Sequence, residues 1–103
     1  MAKQNKQYVM VTTTTRSIYA GYLVEEDKIT KRVVLHGLRH CYSYVVRGTA
    51  GQFGVFSLAT VGPCEGSRIG PIVTTDAVVY DVALIVPCTA AAQKAWEGST
   101  WTI

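Results

Sequence analysis

The stretch from Tyr19 to Val46, YAGYLVEEDKITKRVVLHGLRHCYSYVV, constrains the fold more than any other part of the chain. β-branched and aromatic residues dominate it, the polar run Glu25–Lys28 interrupts it, and Gly37 interrupts it again. This pattern predicts a sharply bent antiparallel run of strands with a turn at Glu25–Lys28. Gly21 falls in mid-strand, where a missing side chain costs stability, so a strong bend or a close backbone approach is expected there. Separate strands are expected over Thr30–His36 and Leu38–Val46, divided by Gly37. In the second of these, Arg39, Cys41, Ser43 and Val45 alternate with His40, Tyr42, Tyr44 and Val46. One strand face therefore carries two tyrosines and a histidine.

The remaining elements read as partners to that sheet. A first strand is expected over Tyr8–Thr15, with Tyr8, Met10, Thr12 and Thr14 on one face and Val9, Val11, Thr13 and Thr15 on the other. A second runs over Ile18–Val24. Gly48, Gly51 and Gly54 mark a loop, and Val55–Val61 has helical spacing closed by Gly62-Pro63. A further loop, Cys64–Pro71, carries Arg68. Strands are expected over Ile72–Val79 and Val82–Val86, around a turn at Tyr80–Asp81. Thr89 then reads as an N-cap for a helix over Ala90–Glu97, ended by Gly98. The fold class is α+β, mainly β: a small bent antiparallel sheet or partial barrel of five to six strands with two short helices. Residues 1–6 are expected as a flexible N-terminus, and residues 7–103 as a single domain. The runs VMVTTTT, IYAGYLVEED and KRVVLHGLRH are similar to the first half of an Sm-like or SH3-like barrel, a likeness of fold that carries no function with it.

Composition narrows the function classes. Apolar residues make up 49% of 103 residues, enough for a core without metal or disulfides. Only 17% are charged, which leads us to expect a homo-oligomer that buries extra surface. A net charge of +3 falls short of the dense basic stripe of a duplex DNA binder. Cys41, Cys64 and Cys88 lack zinc-knuckle spacing and are expected as reduced thiols in the cytoplasm. MAKQNKQ has no apolar h-region, and no run of about 18 apolar residues follows. Neither a signal peptide nor a membrane span is expected.

No motif carries catalysis. GTAGQFG lacks the Gly-Lys-Ser/Thr of a phosphate loop. Ser17, Ser57 and Ser67 have no nucleophile-elbow context, and Glu25-Glu26-Asp27 reads as a solvated turn. His36, His40 and Cys41 lie close in sequence but need converging ligands from elsewhere to hold a metal. The expectation is a protein that is not an enzyme and uses no cofactor or metal. The informative set is Arg32, Arg39, Arg47 and Arg68 with Tyr19, Tyr22, Tyr42 and Tyr44. Arginine offers a planar fork to phosphate, and tyrosine a stacking face to a base. The bland reading has the tyrosines filling the barrel and the arginines lying along the surface. Arg39, Arg47, Arg68, Tyr42 and Tyr44 are the ligand-binding candidates, with Arg68 foremost because a glycine-flanked loop gives a long side chain little structural purpose. Trp96 and Trp101 are the interface candidates.

Tyr8 to Trp101 also resembles a family of small bacteriophage and prophage proteins that contain a domain of unknown function. The resemblance rests on the Thr-rich first strand, Gly21-Tyr22-Leu23, Val34-Leu35, and Arg39 leading into Tyr42-Ser43-Tyr44. It continues through Phe56-Ser57-Leu58-Ala59 with Gly62, Ser67-Arg68-Ile69-Gly70, Ile85-Val86-Pro87-Cys88-Thr89, Ala95-Trp96 and Trp101. The chain departs from the family where His40 and Cys41 stand in place of a tryptophan-containing aromatic segment. The resemblance implies a phage origin and brings no catalytic residues. The expected function is a non-catalytic phage accessory protein that binds a host protein or a nucleotide-type ligand, in counter-defence or host takeover. The alternatives are a virion-associated assembly protein acting by self-association and an RNA or single-stranded nucleic-acid binding module.

Overall fold

The computed structural model describes residues 7–43, 57–60, 62–63 and 68–98. In chain order these form β1 (Tyr8–Thr13), β2 (Ile18–Asp27), β3 (Arg32–Ser43), α1 (Ser57–Thr60), β4 (Arg68–Ile69), β5 (Asp76–Val79), β6 (Val82–Pro87) and α2 (Ala90–Gly98). The mainly-β reading holds: six antiparallel strands form an open sheet accompanied by two short helices. The order is β4-β3-β2-β1-β6, with β5 pairing the other half of β3's outer edge.

Gly37 bends a strand where a break was expected. Ala20 pairs with Arg39 and Tyr22 with His36, so Gly37 and Leu38 together oppose the single residue Gly21. This is a β-bulge whose first residue sits at positive φ (+67°), the conformation glycine adopts without steric cost. Gly21 faces that bulge closely: a Cβ there would lie 3.1 Å from the His36 carbonyl oxygen and 3.3 Å from Leu38 Cα. The close approach expected at Gly21 is thus observed. The extra residue also shifts the alternation of β3. Val33 and Leu35 point to one cluster before the bulge, and Leu38 points to the same cluster after it.

Bending brings the sheet's two edges together without a ladder between them. β5 lies on β3 and β6 on β1, yet only Tyr80 and Asp81 connect β5 to β6. Asp81 takes positive φ at this corner, its carbonyl accepts from Thr14 N at 2.9 Å, and Val82 N donates to the Lys31 carbonyl at 3.0 Å. β6 extends one residue beyond the expected Val86. Cys88 N donates to Tyr8 O, so by alternation Val86 and Leu84 aim their backbone groups at β1. Pro87 therefore faces the open edge, where no N–H is required.

Two cores lie on opposite faces of β1. Val9 and Val11 meet Val33, Leu35, Leu38, Val79 and Val82 inside the curl. Tyr8 and Met10 meet Ala20, Cys41, Leu58, Ile69, Ala92 and Trp96 under the helices. The expected faces of Tyr8 and Met10 and of Val9 and Val11 agree with this division, and the strand ends at Thr13, two residues before the expected Thr15. Thr89 caps α2 as expected, its Oγ1 accepting from Ala92 N at 3.1 Å. The same hydroxyl donates to the Thr60 carbonyl at 2.6 Å, fastening α2 to α1. Gly62 (φ +83°) allows that contact: a Cβ would meet Ala95 Cβ at 2.5 Å. Among the described residues no helix is long and apolar enough to cross a membrane.

Candidate functional site

Alternation along β3 sorts the candidate residues onto two faces. Arg39 and Cys41 turn toward the helices; His40 and Tyr42 turn the other way. Arg39 is buried, at 4% exposure. Its Nε donates to the Gly70 carbonyl at 2.8 Å and its Nη1 to the Trp96 carbonyl at 2.8 Å. Burial pulls its pKa below the ordinary arginine value, yet a guanidinium stays charged at any physiological pH. Arg39 closes the C-terminal end of α2, where exposed carbonyls favour a cation. Its two described donor groups are engaged inside the fold, so the structure separates it from Tyr42, with which it was grouped as a ligand residue.

The opposite face carries a row of three rings. Tyr19, His40 and Tyr42 follow one another across β2 and β3. Tyr19 and His40 stack at 4.8 Å between centroids and 25° between planes, and His40 meets Tyr42 at 4.2 Å and 55°. Tyr42 is 54% exposed. Its ring crosses Gly70 on the neighbouring strand segment, where a Cβ would come within 3.0 Å of Tyr42 Cε2. Burial holds His40 below the ordinary histidine value, so the imidazole is neutral at pH 7 and the row presents uncharged π faces.

Arg68 lies on the strand that pairs with the end of β3. It lies in β4, opposite Ser43, and not in the expected loop. Ile69 is buried in the helix-side core, so strand alternation sends exposed Arg68 out on the face of Tyr42. Alternation from buried Ile69 thus assigns Arg68 to the face that carries Tyr42, across a register shift between Cys41 and Ser43. Arg47, Tyr44 and Trp101 lie outside the described residues.

Trp96 takes a structural position. It is fully buried, and its Nε1 donates to the Leu58 carbonyl at 2.9 Å. The ring is enclosed by this chain's own core, which leaves it no surface to offer a partner. His36, His40 and Cys41 are likewise separated. His36 pairs with Asp76 on β5 at 2.7 Å, His40 sits in the ring row, and Cys41 is buried on the other face. Burial pushes the Cys41 thiol up to about 11 and the Cys88 thiol up to about 12, values at which almost no reactive thiolate forms near neutrality.

Among the described residues, cavities open beside the sheet. One, about 310 Å³, lies between the β2–β3 hairpin and β6 and is lined by Lys28, Lys31 and Arg32 together with Glu26 and Asp27. Another, about 350 Å³, opens beside Tyr19, between Thr13, Thr15, Leu38, Val78 and Tyr80. The second is continuous with the ring row through Tyr19. In the sequence, His40 shares a face with the tyrosines and reads as a possible metal ligand, but it does not count among the ligand-binding candidates. Its role in the row was legible in the shared parity of His40 and Tyr42.

An open, curled sheet with an aromatic row across β2 and β3 defines a small, mainly β domain. The chain belongs to the family described as a domain of unknown function, DUF6948, whose model matches residues 6–96. No curated protein and no solved structure matches the chain.

Proposed function

We propose that this protein works by binding, without catalysis, and that its ligand is of nucleotide type. The observation that carries the reading is the row Tyr19–His40–Tyr42, with Arg68 assigned to the same face by strand alternation. Neutral rings supply a π face to a base, and an exposed guanidinium supplies a bidentate donor to phosphate. Gly70 supports the arrangement, since its missing side chain lets the Tyr42 ring lie across the sheet. Within a phage, such a protein would serve as an accessory factor that sequesters a host ligand, in counter-defence or host takeover. The family resemblance of the sequence supports that setting.

Native mass spectrometry of the purified protein, followed by calorimetric titration with nucleoside monophosphates, tests the reading. A retained nucleotide-sized adduct and saturable binding are expected. Tyr42→Ala should weaken binding roughly 5- to 150-fold, the range for loss of one base–aromatic stack. Arg68→Ala should remove the preference for the phosphorylated ligand over the nucleoside. Absence of binding by the folded wild-type protein would overturn the proposal.

A further inference from the structure

β6 ends the sheet order and, among the described strands, pairs with β1 alone. Leu84 and Val86 turn their backbone groups to β1, so Ile85 between them aims its N–H and C=O at the open edge. Neither group has a backbone partner among the described residues. The strand, VALIVP, carries no charge to guard that edge, and an unguarded edge accepts a further strand. Pro87, which has no N–H, ends the run of donors.

The cavity of about 310 Å³ lies on this edge. Val82, Ala83, Leu84 and Ile85 all line it. Side chains alternate between the faces of a strand, so four consecutive residues share one cavity when it meets the strand edge-on. No residue of β1 lines it, which puts it on the unpaired side. The opposite wall is the β2–β3 hairpin, whose Lys31 carbonyl accepts from Val82 N at 3.0 Å. That bond holds the hairpin tip at the first residue of β6.

Charge is arranged along the hairpin. Its register pairs Asp27 with Arg32 and Glu26 with Val33, so Lys28 and Lys31 belong to the tip and Glu26 lies farther from it. Asp27 Oδ1 accepts from Ile29 N at 3.0 Å and Thr30 N at 3.3 Å, which fixes the turn. Arg32 reaches Glu25 at 3.3 Å. Lys28 and Lys31 are exposed and have no ion-pair partner among the described residues.

We propose that this cavity seats the C-terminal end of an extended peptide from a partner protein, paired antiparallel to β6 with its terminal carboxylate at Lys28 and Lys31. A strand edge presents carbonyls as well as N–H groups, and Glu26 adds a further acceptor. A phosphate has no donor for them at neutral charge balance, whereas a peptide backbone carries donors and acceptors in the required alternation. Direction follows from charge. An antiparallel strand ends at the first residue of β6, where the lysines stand; a parallel one would bring its ammonium there. The ring row contributes no residue to this site, so the two bind independently.

Selection from a library of random heptapeptides displayed with a free C-terminus, followed by anisotropy titration of the synthetic peptide it yields, provides the test. The peptide should bind roughly 10-fold more weakly or worse as its C-terminal amide, the loss expected with one charge-assisted contact. Lys28→Glu combined with Lys31→Glu, both at exposed positions, should cost at least as much. Hydrogen exchange of the Ile85 amide should slow about 10-fold or more at saturating peptide, as a newly paired edge requires. Tyr42→Ala should leave peptide affinity unchanged, which keeps this site's failure distinct from failure of the nucleotide reading. Absence of any selected peptide that binds the folded protein would overturn the proposal. So would equal affinity of acid and amide, or an Ile85 amide that exchanges equally fast with and without peptide. Binding of inorganic phosphate at the lysines in place of peptide would make the cavity an anion site and overturn it likewise.

Discussion

Arg39 Nη1 donates to the Trp96 carbonyl at 2.8 Å, joining the middle of β3 to the last turn of α2. The same guanidinium reaches the Gly70 carbonyl through Nε at 2.8 Å, so one side chain ties β3, the segment after β4 and the helix end together. Replacing it with methionine preserves much of the volume and leaves two inward carbonyls without their donor. Arg39→Met should destabilise the protein by about 3 kcal/mol, since hydrogen bonds from charged groups contribute about 1.5–3 kcal/mol each and are not fully additive. Arg39→Lys should recover less than half of that, because an ammonium lacks the two diverging donors of the fork. Urea unfolding measures both, and a loss below about 1 kcal/mol for the methionine variant would contradict the structural role.

Gly70→Ala separates ligand binding from stability. The new methyl would come within 3.0 Å of Tyr42 Cε2, and the tyrosine ring, being half exposed, can swing away. Gly70 is buried, but the atom the methyl meets is the end of a movable ring, so stability should fall by only about 1 kcal/mol, the ordinary cost of a single substitution. Nucleotide affinity should fall about as far as in Tyr42→Ala. Parallel melting and calorimetric curves check this; retention of wild-type affinity would show that the ring's resting position is irrelevant to binding.

Two tyrosines predict alkaline sensitivity. Burial, and then the negative charge of Glu97, push Tyr8 above its ordinary value of 10.0. Tyr22 is raised chiefly by its hydrogen bond to Glu97, which it donates through its hydroxyl. Both groups hold their proton in the folded state after the unfolded chain has released it. The resulting stability is fully present below about pH 10, the unfolded value, and is lost as pH rises through the folded values. Tyr8→Phe and Tyr22→Phe should each flatten the decline in urea midpoint between pH 9 and 11.

Tyr8→Phe has a second consequence at neutral pH. The Tyr8 hydroxyl is buried and meets no hydrogen-bonding partner among the described residues, while its ring packs edge-on against Tyr22 at 5.0 Å. Phenylalanine keeps the ring and removes the unpaired polar atom. The variant should be more stable by about 1 kcal/mol, the lower part of the range for an uncompensated buried hydroxyl. A destabilised variant in the same urea titration would mean that the hydroxyl contributes favourably.

Local pattern alone determined which residues of β1 share a face, the capping of α2 by Thr89, and the close approach at Gly21. Each depends on strand alternation, cap chemistry or the size of one residue, so neighbouring positions suffice to read it. Parity also put His40 and Tyr42 together on one face of β3. It equally placed Arg39 on the other face, although charge and proximity in sequence had grouped Arg39 with Tyr42. Tertiary structure decided the rest. Gly37 became a bulge within one long strand because Gly21 on β2 stood opposite to receive it. Arg68 moved from a loop to a strand because Ser43 offered it a pairing partner. Trp96 became core because α1 supplied a carbonyl for its indole. These outcomes depend on contacts between residues 16 to 38 positions apart in the chain. Only the assembled sheet brings such residues within reach, and a one-dimensional pattern carries no record of who stands opposite whom.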